Sequence, residues 1–325
     1  MKNADLLKQA MKCLNLTGVA LADQVTALRE DGKRTAPETI SRWLNGTNPV
    51  DPCLMGWVTE RVRAKAREIN KPQLTFPQNR GVVIAITNMK GGVGKTTVAE
   101  NLAAISKLTF GLNTSFHYAA TLENRKYANH SIDSMKRLHI KCPDLEPENI
   151  LAYAPAPNEV VIIDVCGGLV RDSLDFDGES LIPVEDGFLN RFLPDIYVVP
   201  TNVESLTDMD STMRLINSGA LKARLQVLHR PRFMSMDFHS VASKSGLDLN
   251  SDIVCPFFIP TSPFNSRHIP VDVMSDWRDK VQEHYHHQLF THIVELLGFT
   301  LLNVDELMDE VETMNLQGLL DIVTS

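Results

Sequence analysis

The chain has 325 residues, 43% of them hydrophobic and 22% charged, with 32 Lys/Arg against 40 Asp/Glu for a net charge of −8. These fractions are those of an ordinary globular protein, and the length allows two domains or one large domain with an appendage. No apolar run reaches the roughly 18–20 residues that span a bilayer and the N-terminus lacks a signal-peptide core, so no membrane association is expected.

Five cysteines (Cys13, Cys53, Cys142, Cys166 and Cys255) are scattered and never spaced Cys-x-x-Cys. That pattern argues against a disulfide framework, a zinc knuckle or an iron–sulfur cluster, and for a reducing cytoplasm. Charge is unevenly placed: residues 1–79 hold 12 Lys/Arg and 8 Asp/Glu, while the remainder holds 20 and 32. A basic head on an acidic body implies that any nucleic acid is met by the head.

The head, residues 1–72, reads as a helical cluster. Asn3 to Leu14 is amphipathic, and Thr17 can cap a second helix over Gly18–Arg29. After a polar turn, a short helix runs from Pro37 to Asn45, with proline early where it is tolerated and Gly46 as the stop. Leu54 to Ile69 is a further amphipathic helix.

The stretch Thr35-Ala-Pro-Glu-Thr-Ile-Ser-Arg-Trp-Leu-Asn-Gly46 resembles the recognition helix of lambda-repressor-type helix-turn-helix domains. That resemblance places Ile40, Trp43 and Leu44 toward the core and Glu38, Thr39, Ser41 and Arg42 outward, with Thr39 and Arg42 reaching base edges. Lys33 and Arg34 beside them suit phosphates. The connection between the two central helices is longer than that family's tight turn. A helical bundle used for dimerisation is the other reading. Arg61, Arg63, Lys65 and Arg67 read as a solvated helix face.

Residues 73–80, within a stretch carrying Pro72 and Pro77, read as a linker to an ATPase body over 81–300. Gly81 to Asn88 is an apolar, β-branched run, the mark of a buried parallel strand. Lys90-Gly91-Gly92-Val93-Gly94-Lys95-Thr96-Thr97 follows, and Val98 to Leu108 repeats apolar residues at helical spacing. Strand, glycine turn and helix start form the context of a P-loop, whose amides turn onto phosphate oxygens at a helix N-terminus. In such a loop Lys95 bridges the outer phosphates and the Thr96 hydroxyl ligates Mg²⁺.

The additional Lys90 separates this loop from a generic one. Lys-Gly-Gly-x-Gly-Lys-Thr-Thr resembles the deviant Walker A motif of the ParA/MinD family of ATPases. The resemblance implies ATP and Mg²⁺ as cofactors and an ATP-dependent homodimer in which Lys90 reaches the partner's nucleotide. Glu159-Val-Val-Ile-Ile-Asp164 resembles a Walker B strand delivering Asp164 to the magnesium shell. Gly167 then stands where the family places an amide that senses the terminal phosphate, and Cys166 where it often has proline.

Strand signals at Ile196–Pro200, Leu225–Leu228 and Phe257–Pro260 alternate with helical stretches such as Ser205–Ile216. The expected fold class is therefore α/β, a doubly wound and mainly parallel sheet, preceded by a small all-α domain. The family builds its adenine pocket at the ends of the last two strands, here His229-Arg230 and Pro260-Thr261. His229 is either an adenine contact or a plain loop histidine.

The second strand departs from the family, which carries Asp-x-Asp-Pro-Gln-Gly there. In Phe116 to Arg125 the natural register puts Ala120 and Leu122 at the aspartate positions and Asn124 at the glutamine. Alanine and leucine cannot orient water. Glu123 either substitutes after a one-residue shift or is a solvated loop residue. ATP binding with slow or absent hydrolysis follows as the expectation.

Residues 171–192 are rich in acids, and His284, His286, His287 and His292 share a helical stretch without paired cysteines to support a metal. After Lys280 there are eight carboxylates and no Lys or Arg, and 301–325 reads as a helical tail. The leading reading is a nucleoid- or plasmid-associated ParA-like switch with a DNA-binding head, maintaining a plasmid or other mobile element with a ParB-like adaptor as possible partner. The alternative is a transcriptional repressor whose degenerate ATPase body dimerises or senses nucleotide.

Overall fold

The computed structural model describes residues 3–28, 33–68, 73–77, 80–143, 146–178, 180–202, 206–230, 246–248, 251–258 and 280–302. The chain divides into two compact units. The first takes Met1–Thr75 and the chain from Thr300 onward, and the second is Phe76–Phe299.

The first unit contains α1 (Asn3–Cys13), α2 (Gly18–Leu28), α3 (Pro37–Leu44) and α4 (Pro52–Glu68). Thr17 caps α2 by accepting the Ala20 amide, and Pro37 opens α3 where its missing N–H costs nothing. The apolar stripes of all four helices meet in one core built on Leu7, Leu21, Ile40, Val58 and Val62, against which Trp43 and Leu44 pack. The face of α3 is thus as expected: Ile40 is buried, while Glu38, Ser41 and Arg42 are exposed and Thr39 is half-buried. Lys33 and Arg34 are exposed on the segment leading into α3.

Two features of this unit differ from the sequence reading. The linker stretch contains β1 (Leu74–Thr75), which pairs antiparallel with β10 (Thr300–Leu301). Leu301 therefore begins no helix, because its backbone is committed to Leu74; residues 303–325 of the expected tail lie outside the described residues. Arg63 also leaves the solvated face, donating to the Gln73 side chain and the Leu302 carbonyl. Arg61 lies over the Trp57 ring.

The second unit is organised by β2 (Val82–Ile86), β3 (Asn113–Ala119), β4 (Glu159–Val165), β7 (Ile196–Thr201), β8 (Arg224–His229) and β9 (Val254–Phe258). These form one six-stranded sheet, ordered β3-β4-β2-β7-β8-β9, and every pairing is parallel. β4 and β7 are buried along their whole length, the mark of a strand covered on both faces. The helices are α5 (Lys95–Leu108), α6 (Asn129–Arg137), α7 (Pro147–Leu151), α8 (Gly167–Asp172), α9 (Phe188–Arg191), α10 (Leu206–Asn217) and α11 (Lys280–Leu296). The acid-rich excursion holds the antiparallel hairpin β5 (Leu174–Asp177) and β6 (Ser180–Pro183). The doubly wound parallel α/β architecture is as the sequence predicts.

Register places the chemistry. Ile86, the last residue of β2, lies beside Asp164 of β4, so the loop after β2 and the Asp164 carboxylate share the carboxyl edge. β4 and β7 flank β2 on opposite sides, the kind of crevice where such sheets bind ligands.

His117 on β3 is fully buried, near the Ser115 hydroxyl and edge-on to Tyr153. Burial pulls its pKa from 6.5 down to about 4, against the opposing pull of Glu159. The folded protein keeps this imidazole neutral while the unfolded chain protonates below 6.5, so stability falls as pH drops from 6.5 toward 4. By pH 5 the loss reaches about 2 kcal/mol. His117→Gln should therefore show a smaller drop in melting temperature between pH 7.5 and 5 than the parent chain; equal drops would discount this residue.

Candidate functional site

The loop between β2 and α5 is fixed before any ligand arrives. The Asn88 side chain is buried; its amide donates to the Pro200 carbonyl and the Thr212 hydroxyl, each at 2.9 Å. Its Oδ1 accepts the Lys90 amide at 2.9 Å. The start of the loop is thereby tied to β7 and α10.

Gly94, at φ 88°, turns the chain into α5. A β-carbon there would strike the Arg230 guanidinium, whose Nη1 donates to the Gly94 carbonyl at 3.3 Å. Arg230 is buried, and that burial brings its pKa down to about 10.

Lys95 begins α5 with its ammonium nearly buried, donating to the Lys90 carbonyl at 2.7 Å. Burial lowers its pKa, Asp164 and Cys166 pull the other way, and the nearby Arg171 lowers it further. Thr96, one residue on, donates from its hydroxyl to Asp164 Oδ2 at 2.6 Å. Asp164 itself is 1% exposed. Burial raises its pKa from 3.8 to about 6, opposed by the Thr96 hydrogen bond and the Lys95 charge.

These groups face a cleft of about 220 Å³ whose lining includes Gly91, Lys95, Thr96, Asp164, Gly167 and Arg171. Gly167 follows from close packing, since a β-carbon there would stand 2.9 Å from the Met89 carbonyl oxygen. Val93 is buried behind the loop, Gly92 is exposed and Thr97 is half-buried on the first turn of α5.

The residues fit a magnesium-bound nucleotide. Asp164 Oδ1 is buried without a hydrogen-bond partner, an arrangement a hard cation would resolve, and the Thr96 hydroxyl stands beside it. A triphosphate would take the loop amides and the Lys95 charge. Among the described residues, no group of three or more metal-ligating side chains forms elsewhere. His287 stacks on Phe110 and His292 bonds Gln226, so these histidines are used in packing.

Several expected positions are placed differently from the P-loop core. Lys90 is held within its own chain, its ammonium 3.1 Å from Asp208 Oδ1 on α10. His229 ends β8 at the same sheet edge, buried, with burial lowering its pKa to about 4. It is not among the cleft-lining residues, and Pro260 lies outside the described residues.

In the departed second strand, β3 stops at Ala119 and a 3-10 helix covers Leu122–Tyr127. Ala120 is buried, Leu122 is 75% exposed, and Glu123 points to solvent. Asn124 does line the cleft, bonded to the Thr121 hydroxyl at 2.9 Å. Asp164 is thus the one carboxylate among the described lining residues.

Sequence reasoning missed Asn88, Arg171 and Asp208, and named Arg230 only beside His229 at the expected adenine pocket, not as the residue that braces Gly94. Arg171 had a legible signal: it stands four residues after Gly167 in a helix, hence on the same face. The other three act from separate strands and helices, and nothing local marks them.

Neither a protein-family model nor a curated protein matches the chain. Among solved structures it is similar to the ATP complex of Cyanothece McdA, at 14% identity over 69% of this chain and 99% of that one, TM-score 0.40. It is similar to pNOB8 ParA bound to nonspecific DNA, at 12% identity over 66% and 98%, TM-score 0.40. It is also similar to the MinD cell division protein of Aquifex aeolicus, at 15% identity over 66% and 97%, TM-score 0.39. On its own geometry, Phe76–Phe299 is a parallel, doubly wound α/β unit with a P-loop between its β2 strand and the following helix.

Proposed function

We propose that this chain is a ParA-type ATP-binding switch that dimerises on ATP·Mg²⁺, hydrolyses it slowly or not at all, and binds DNA through its helical head to maintain a plasmid or other mobile element. The observation that carries the nucleotide half is the Thr96–Asp164 hydrogen bond beside a buried Lys95 in one cleft. Bound magnesium would neutralise charge between the outer phosphates, held by Thr96 and Asp164. Lys95 would hold the phosphates, and Asn88 would keep the loop in place.

Slow turnover rests on the same cleft. Asp164 would be committed to the metal, and no second carboxylate among the described lining residues can orient a water. DNA binding rests on the exposed Lys33, Arg34, Glu38, Ser41 and Arg42, with half-buried Thr39, on and before α3. A ParB-like adaptor would be the natural partner of such a switch.

With Asp164 the one carboxylate among the described lining residues, one other reading is also favoured, a repressor whose body only dimerises or senses nucleotide. Both are tested on the full chain. Binding of a non-hydrolysable ATP analogue should require Mg²⁺, with turnover far below the roughly 1–10³ s⁻¹ common to enzymes. Arg42→Ala should relax sequence preference on DNA, whereas Arg34→Ala should weaken binding uniformly and flatten its salt dependence. Turnover in the ordinary enzymatic range would remove the slow-switch reading. Dimerisation indifferent to ADP or ATP would leave the repressor.

A further inference from the structure

We infer that Arg171 grips the third phosphate of ATP and so makes the cleft discriminate ATP from ADP. This rests on the nucleotide-binding reading above. On that reading the loop amides and Lys95 would take the phosphate chain, and Thr96 and Asp164 would hold the magnesium beside it. Arg171 lines the same cleft as Lys95, Thr96 and Asp164 but is carried by α8 rather than by the loop, so the phosphate beyond those the loop would hold is the one left for it.

Its geometry is prepared for such a contact. Gly167 and Arg171 lie one turn apart on α8, and Gly167 lets that helix press against the Met89 carbonyl. Arg171 Nη1 donates to the same carbonyl at 2.9 Å, which holds the guanidinium at the mouth of the cleft while the side chain stays exposed. That bond uses one of its five donors, and the planar fork that is left matches two phosphate oxygens.

Charge points the same way. Lys95 and Arg171 bring two cations to a cleft whose one described lining carboxylate is Asp164. The surplus positive charge suits the extra anionic oxygens that distinguish a triphosphate from a diphosphate.

The competing explanation is structural: Arg171 merely pins the loop through Met89. A pinning role would weaken both nucleotides alike, so the ratio of affinities decides. Isothermal titration of the full chain with Mg²⁺ and either ADP or ATPγS, for the parent, Arg171→Ala and Arg171→Lys, provides the test. Arg171→Ala should lose about tenfold to a hundredfold in ATPγS affinity and less than about threefold for ADP, with its melting temperature unchanged. Arg171→Lys, which keeps the charge without the fork, should fall between. Equal losses for the two nucleotides, or no loss, overturn the assignment while leaving the P-loop reading intact. A parent chain that binds neither nucleotide overturns both.

Discussion

Lys95→Ala should abolish nucleotide binding while leaving the unliganded fold standing. The ammonium is almost entirely buried, and its burial lowers its pKa, so the folded protein holds this charge at a cost. Its partners are the Lys90 carbonyl at 2.7 Å and the field of Asp164. Neither needs a lysine for the fold to persist: the carbonyl lies in a loop tied down separately by Asn88, and Asp164 keeps its Thr96 hydrogen bond.

A polyphosphate in this cleft, by contrast, would lose the nearly buried cation that Lys95 supplies. Removing one partner of a desolvated charge pair costs about 2–5 kcal/mol, which is a loss of roughly thirtyfold to several thousandfold. The expected result is no measurable ADP or ATPγS binding at micromolar concentrations, with a melting temperature within a few degrees of the parent. Retained micromolar binding would show that the loop holds its ligand by other means, and the P-loop assignment would fail.

The parts of the site that local sequence encodes were legible, and the parts that come together only through topology were not. Lys90 to Thr97 could be read because strand, glycine turn and helix start are consecutive in the chain, and all three stand where expected. Asp164 could be read because a fully buried strand announces itself by its run of β-branched residues. The strand before His229 was located, and the Phe257–Pro260 signal was displaced, since the strand runs Val254–Phe258 around an interior proline. That proline sits on the strand at the end of the sheet order, where a missing donor is tolerated.

Other features had no local signal. β10 is two residues long, and its pairing with Leu74 spans most of the chain. Asp208 looks like any helix-start acid until the fold brings it to Lys90. The α3 face was readable because helical period alone sorts Ile40 inward from Ser41 and Arg42.

Lys90→Ala should leave nucleotide binding nearly intact yet prevent ATP-dependent dimerisation. The Lys90 ammonium stands 3.1 Å from Asp208, with 41% of the lysine side chain and 11% of the aspartate exposed. Since the lysine end is open to solvent, the pair contributes only about 0.2–1 kcal/mol. Such a contact parks the side chain without trapping it. Under the proposed function, ATP draws Lys90 off Asp208 and onto the nucleotide of a second copy, exchanging a weak pair for a phosphate contact shielded from water. Two expectations follow from that exchange. Lys90→Ala remains monomeric by light scattering at ATP concentrations that dimerise the parent. Asp208→Asn, which releases the lysine, dimerises at about two- to fivefold lower protein concentration, the equivalent of the pair's modest energy. The direction matters more than the size, because a purely structural Asp208 would make the asparagine variant dimerise less readily. Should Lys90→Ala dimerise with ATP as the parent does, the second lysine of this loop serves its own chain, and the sandwich dimer is not the working state of this protein.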